Sequence, residues 1–451
     1  MIRSIRNSFL GGAAKRRRVF WCATIPFFVA VSTSVQSQVS ARSTSSLASK
    51  VDLSIRESFD SNVYLQDKDP SLPGAFPAQR DSWVTTLIPR LSIGYGDAES
   101  QINGFYAPEI SFYHSARSED NIAHKLGLTL TLQRERMSFE QANSFVWIDG
   151  SKSGPIFAPP QDIPAVGGIP LRDRRDAIVY RGSIKVGWEL GNFLIRPAGA
   201  AYIHDFRTHQ KLPSETQPLI YVNYNDRRDV NFGFDLGYRA METTRLLIGY
   251  RFGVQDQFRG VSVFDLTRFA DSPYDSYYHR FLVGMEGSPV PWLKVNFLFG
   301  PEIRDWRRDT PVGFDRGELL YWLNCSATLQ FSVTDSLTLA ARRFEQPAFT
   351  SQSVYEDIAY SISLRHQFDP KLAANVGFQV YVGDWQAPVN REDWIYTPSL
   401  GISWQYDKNW LIEASYCYDW VDNKVPTSTA PSADGREYTR HIVTLTIKYS
   451  F

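Results

Sequence analysis

The chain has 451 residues, 48 Lys and Arg against 48 Asp and Glu, 14% aromatic residues, three Cys and a mean hydropathy of -0.29. That hydropathy excludes a polytopic helical membrane protein, in which each span needs ~20 apolar residues. The zero formal charge disfavours a nucleic-acid-binding surface, which depends on excess positive charge.

The balance is uneven along the chain. Residues 1–18 carry Arg3, Arg6, Lys15, Arg16, Arg17 and Arg18 and no acid, and an apolar run from Val19 to Val35 follows, then small residues ending at Ser37. A basic region, a short apolar core and a small-residue cleavage site predict a secretory signal peptide over 1–37. The run is short for a membrane span and contains Pro26, which argues against an uncleaved anchor. Its removal takes away six basic and no acidic residues, leaving a net charge of about -6. Residues 38–48 read as an N-terminal linker.

From residue 49 onward the dominant signal is period two, which in a strand sends alternate side chains to opposite faces. Candidate strands fall at 49–59, 82–95, 100–114, 122–133, 136–148, 177–190, 193–206, 227–240, 245–256, 276–286, 292–304, 318–333, 336–348, 353–367, 371–383, 394–406, 409–420 and 438–451, about 18 in all. At the C-terminus Val443, Leu445, Ile447, Tyr449 and Phe451 share one face and Thr444, Thr446, Lys448 and Ser450 the other. The run from Glu318 to Val333 alternates for longer than the ~5 to 6 residues usual in globular sheets, a length that suits a tilted strand crossing a bilayer.

Connections alternate between short turns, such as Gly191-Asn192 and Asp407-Lys408-Asn409, and longer polar loops such as 60–81, 149–176 and 207–226. Short turns at one end and long loops at the other are the arrangement of outer-membrane barrels. About 18 strands enclose a lumen too wide to fill with side chains, so the polar face must line water and the apolar face lipid. The expected fold is therefore all-β, a transmembrane antiparallel β-barrel of 16–18 strands over 49–451. An even strand count puts both termini in the periplasm. Trp83, Tyr95, Trp394, Tyr406, Trp410 and Trp420, at strand ends, fit interfacial girdles.

The terminal stretch TLTIKYSF, with Leu445, Ile447 and Tyr449 at alternate positions before Phe451, resembles the assembly signal of Gram-negative outer-membrane β-barrel proteins. The opening strand VDLSIRESFDSNVYL, 51–65, is similar to that of the beta-barrel porin 2 family, with Asp60-Ser61-Asn62-Val63 after it. The resemblance implies a cell outer-membrane location, recognition of Phe451 by the barrel-assembly machinery, and a porin or a barrel associated with surface polysaccharide. It transfers no functional residue.

Inward register is expected for more basic than acidic side chains, with Arg181, Lys185, Arg196, Arg251, Arg280 and Arg342 best placed to line a pore. Rings of Arg and Lys lower the barrier to anions; the alternative is that these charges pair across neighbouring strands and only stabilise the lumen. The loop 149–176 exceeds the ~12 to 15 residues normal for a structureless connection. It either folds inward, placing Asp162, Arg172, Asp173, Arg174 and Arg175 at a constriction, or stays a solvated surface loop. Cys325 follows the lipid face and Cys417 the lumen face, so two free thiols are expected. The seven His show no metal-ligand spacing; His204 with Asp205 is the one candidate for a barrel-embedded hydrolase. The sequence is thus read as a passive channel for small hydrophilic solutes with a mild anion preference, not an enzyme, and with no cofactor. The other readings are surface-polysaccharide export, a structural barrel and, third, the hydrolase.

Overall fold

The computed structural model describes residues 46–65, 80–151, 174–207, 225–262, 265–349, 353–424 and 437–451. The signal peptide expected over 1–37 lies outside them, as do Asp162, Arg172 and Asp173 of the long loop. The strands are β1 (Ser46–Asp60), β2 (Ser82–Gly96), β3 (Ser100–Tyr113), β4 (Asn121–Arg134), β5 (Met137–Asp149), β6 (Ala177–Leu190), β7 (Phe193–Phe206), β8 (Asp226–Met241), β9 (Thr244–Ser262), β10 (Asp265–Asp271), β11 (Ser276–Val290), β12 (Leu293–Trp306), β13 (Leu320–Gln330), β14 (Asp335–Pro347), β15 (Val354–Gln367), β16 (Leu372–Trp385), β17 (Arg391–Gln405), β18 (Trp410–Lys424) and β19 (Thr439–Ser450).

Each strand pairs antiparallel with its neighbours, and β19 closes on β1 from Asp52↔Ser450 to Asp60↔Ile442. In the wall β9 runs directly into β11, Thr244↔Gly287 to Gln255↔Ser276, while β10 pairs only with the far end of β9. The wall is therefore a closed barrel of 18 strands, and β9 and β10 rise above it as a hairpin arm that period-two reading did not register. The expected strands 177–190 and 193–206 match β6 and β7 residue for residue. The expected strand 318–333 is shorter, Leu320–Gln330: Glu318, Leu319 and Phe331 to Val333 keep the alternation but have no partner in the ladder. β1 starts at Ser46, so the last residues assigned to a linker already belong to the wall.

The registers put one apolar set outside. Ile55, Leu91, Leu128, Phe232, Ile248, Phe281, Ile362, Leu400 and Leu445 are each 40% or more exposed, and Trp83, Trp147, Trp188, Trp404, Trp410 and Trp420 flank them near the strand ends. A continuous apolar belt around the whole molecule is stable only against lipid, so this is a transmembrane barrel. Cys325 and Cys417 are both free. Cys325 pairs with Phe297 and Ala341 on the outer face, and Cys417 pairs with Ile442 on the inner one.

Short turns close the other end. Between β6 and β7, Gly191 takes φ 65°, a left-handed conformation that costs a side chain strain. Between β17 and β18, the Asp407 carboxylate accepts the backbone N–H of Asn409 at 2.7 Å and of Trp410 at 2.9 Å. These two bonds hold its pKa below the usual value. A lowered folded-state pKa stabilises the fold above the unfolded pKa of ~3.9, and that contribution is lost as pH falls through the folded value. Asp407→Asn should lower the urea midpoint of the refolded barrel at neutral pH, with the gap from wild type closing on acidification below about pH 4. A gap independent of pH would contradict this role.

Candidate permeation path

Strand register sends Arg181, Lys185, Arg196, Arg251, Arg280 and Arg342 all to the inner face. Their settings differ. Arg196 donates from Nε to Asp235 at 3.0 Å and from Nη1 to both oxygens of Glu286 at 2.9 Å. Arg251 reaches Asp235 from the other side at 2.8 Å. Glu286 also faces Arg245 at 3.9 Å, and Glu189 ion-pairs with Arg239 and Arg245. Further up the wall Arg280 and Arg304 share Glu302, at 2.5 and 2.7 Å. Arg342 meets Asp357 at 3.1 Å and Lys185 meets Glu140 at 3.5 Å. Of the six, only Arg181 lacks a carboxylate among the described residues; its guanidinium lies over the Tyr202 ring at 5.0 Å. Cross-strand pairing, the alternative weighed for these cations, thus accounts for most of them.

The paired sector is packed as well as neutralised. Tyr278, fully buried, donates its hydroxyl to Asp229 at 2.7 Å, and its ring has Arg280 at 4.8 Å and Arg304 at 5.5 Å. Gly253 makes room for it, since a Cβ there would lie 2.0 Å from the Tyr278 ring. Removing one partner from such a buried pair leaves an uncompensated charge and costs about 3–5 kcal/mol.

Over the loop end of this sector lie Ala348 and Phe349, which follow β14. They meet residues of β6 to β9, from which β11, β12 and β13 separate β14 along the wall. Arg227 of β8 donates to Gln346 Oε1 at 2.9 Å and to the Pro347 carbonyl at 2.7 Å, with its guanidinium 3.5 Å from the Phe349 ring centroid. The N–H of Asn225 donates to the Phe349 carbonyl at 2.7 Å, Gln257 bonds the Ala348 carbonyl, and Phe349 packs with Ala177 and Phe206. Arg304 donates to the Glu345 carbonyl at 2.8 Å. His204 belongs to this packing: its ring stacks on Phe206 at 4.1 Å and Nδ1 bonds the Tyr202 hydroxyl at 3.0 Å. Asp205, by contrast, pairs with Ile178 on the outer face, so the two do not share a site.

Arg174, offered as a constriction residue, instead ties loop bases together above β1 to β4. It donates to Glu119 at 3.1 Å, to the Tyr113 hydroxyl at 2.8 Å and to the Val63 carbonyl at 2.7 Å. Arg175 is buried beside it, bridged to Ser151.

On the opposite side the lumen stays open. A cavity of about 900 Å³ runs along β15 to β19 and β1 to β3, from Gln367, Lys371 and Gln405 at the turn end to Asp60, Tyr113 and Arg440 at the loop end. Arg56, Arg365 and Glu413 stand between. A second cavity, about 610 Å³, lies on the β1 to β5 wall beside Lys50, Arg90 and Phe105. Among the described residues, Arg90, Arg181, Arg227, Lys294 and Arg365 face the lumen without an ion pair to a carboxylate, Arg227 being taken up by Gln346 and the Pro347 carbonyl. Glu413 is the lumen carboxylate of the described strands that has neither ion pair nor hydrogen bond.

No family model and no curated protein matches this chain. In architecture it is similar to the solved outer-membrane protein OpdK of Pseudomonas aeruginosa, at 12% identity and TM-score 0.40, covering 90% of this chain and 99% of that one. It is also similar to OccK3 (OpdO) of the same organism, at 11% identity and TM-score 0.42, over 89% of this chain and 95% of that one. A mutant of the ferric enterobactin receptor PfeA of Pseudomonas aeruginosa is similar at 8% identity and TM-score 0.41, over 89% and 80%.

Arg227→Ala removes two hydrogen bonds and a ring contact that hold the segment at the end of β14, weakening it by about 2 kcal/mol. Single-channel recording of this variant should give a larger or noisier unitary conductance than wild type. An unchanged conductance would mean that this segment does not limit the lumen.

Proposed function

We propose that the protein is an outer-membrane channel for passive diffusion of small hydrophilic solutes, with a mild preference for anions. The observation that carries this reading is the cavity that runs the height of the barrel beside β1 and β19, lined by hydroxyl, amide and charged side chains. A polar channel enclosed by an apolar outer belt is what a transmembrane aqueous pore requires.

The anion preference rests on the charges left over after pairing. The lumen cations without a carboxylate partner, Arg90, Arg181, Lys294 and Arg365 among them, set against Glu413, leave an excess of positive charge in low-dielectric walls, where it acts at long range. The outer membrane, export by a cleaved signal peptide over 1–37, periplasmic termini and recognition of Phe451 by the assembly machinery complete the proposal. They rest on the N-terminal pattern, the alternation of short and long connections and the aromatic C-terminus. Membership of the beta-barrel porin 2 family has the opening strand in its support. A hydrolytic role is disfavoured by the enclosure of His204 between Phe206 and Phe349.

Purified, refolded protein in a planar bilayer should conduct, and its reversal potential in a salt gradient should show anions moving more easily. Arg365→Glu should shift that potential toward cations. Absence of conductance together with absence of liposome swelling by small sugars would reject the channel, and cation selectivity in wild type would reject the preference.

A further inference from the structure

The lipid-facing belt has one break in its chemistry. Among the described residues, the Asn and Gln side chains of the strands take the inward register, apart from Gln141 and Asn143 of β5. Gln141 pairs with Leu130 and Ile184, and Asn143 with Leu128 and Gly182, outer-face residues of β4 and β6. Gln141 comes four residues after Met137, whose partner is Trp188 of one girdle, and Asn143 four residues before Trp147 of the other. The two amides therefore flank the middle of the hydrocarbon layer. Charged side chains that also point outward lie toward the strand ends, as in the ion pairs of Arg228 with Asp256 and Arg343 with Glu356.

The amides are under-used. Asn143 accepts the Tyr180 hydroxyl at 3.2 Å, its NH2 has no acceptor, and Gln141 has no hydrogen bond at all among the described residues. Lipid tails offer neither donor nor acceptor, so these groups stay unsatisfied in a lone barrel. Beside them Gly182, Ala201 and Gly199 form a shallow depression on β6 and β7, bordered by Phe232, which is 64% exposed.

We infer that this face is where a second copy of the chain docks. A side-chain amide is donor and acceptor at once, so two identical patches can satisfy each other. Copies inserted the same way up are related by an axis along the membrane normal, and groups of equal depth then meet. No other outward face of the described strands carries an amide at this depth, so a ring built head to tail would leave Gln141 and Asn143 facing hydrocarbon. Only a two-fold contact, patch on patch, returns the bonds and lets each Phe232 lie against the other copy's depression.

Cross-linking tests this directly, with Cys325 on the outer face of β13 as a built-in control. Under mild oxidation in membranes, Asn143→Cys should give a disulfide-linked dimer, and wild type, through Cys325, should not. Full-length wild type in nanodiscs should have twice the protein mass of the Gln141→Leu, Asn143→Leu double variant, whose folding is checked by heat-modifiable migration and an unaltered conductance. Wild type with one barrel per particle would overturn the inference, as would a double variant that keeps its partner. Cross-linking of the Asn143→Cys protein through its introduced thiol no better than through Cys325 would overturn it too.

Discussion

Everything in this molecule depends on the refusal of hydrocarbon to solvate a backbone N–H or C=O. A sheet can enter a bilayer only if its last strand pairs with its first, and here β19 meets β1 over nine consecutive positions from Asp52 to Asp60. Closure fixes the face of every side chain, because each strand has period two and each register is antiparallel. The outward set must then be apolar, and the chemistry of the chain is confined to the lumen and to the two ends.

Eighteen strands leave more space inside than strand side chains can fill. The protein resolves this unequally. Along β6 to β12 the lumen is filled with arginines and carboxylates that satisfy one another, Arg196 with Asp235 and Glu286, and Arg280 and Arg304 with Glu302. Ala348 and Phe349, just after β14, cover the loop end of that sector. Along β15 to β19 and β1 to β3 the ion pairs, Arg440 with Asp60 and Arg56 with Glu109 among them, lie along the wall, and a continuous space remains between the strands. Buried ion pairs gain little net stability over apolar packing. Their effect here is to hold a closed sector rigid beside an open one, and to leave only a few cations, Arg365 among them, facing the open space.

The strands were legible because lipid and water enforce alternation more strictly than a soluble core does. β6 and β7 are bounded by the residues that the pattern alone marked, with Gly191 at the turn. Where that pressure ends, legibility ends: β10 lies beyond the belt, and Phe331 to Val333 alternate without any partner strand. The inward facing of Arg196, Arg251 and Arg280 was legible too, but their pairing was not, since Asp235 serves arginines from two other strands and only register brings them together. The segment at the end of β14 gave one unread sign, the apolar Pro347-Ala348-Phe349 in a loop that is otherwise polar. The resemblance of the opening strand implied a porin or a barrel associated with surface polysaccharide, and the cavity beside β1 and β19 is the feature on which the channel reading rests.

In the proposed channel, water and solute pass along the β15 to β19 side of the lumen. The chain carries its own probe there, Cys417, which alternates with the cavity-lining Glu413 and Ser415 on β18. The direct measurement is single-channel current through wild type while a charged, membrane-impermeant thiol reagent is added. A stepwise loss of current, absent in Cys417→Ser, is the predicted result; a current indifferent to modification confirmed at Cys417 would contradict it.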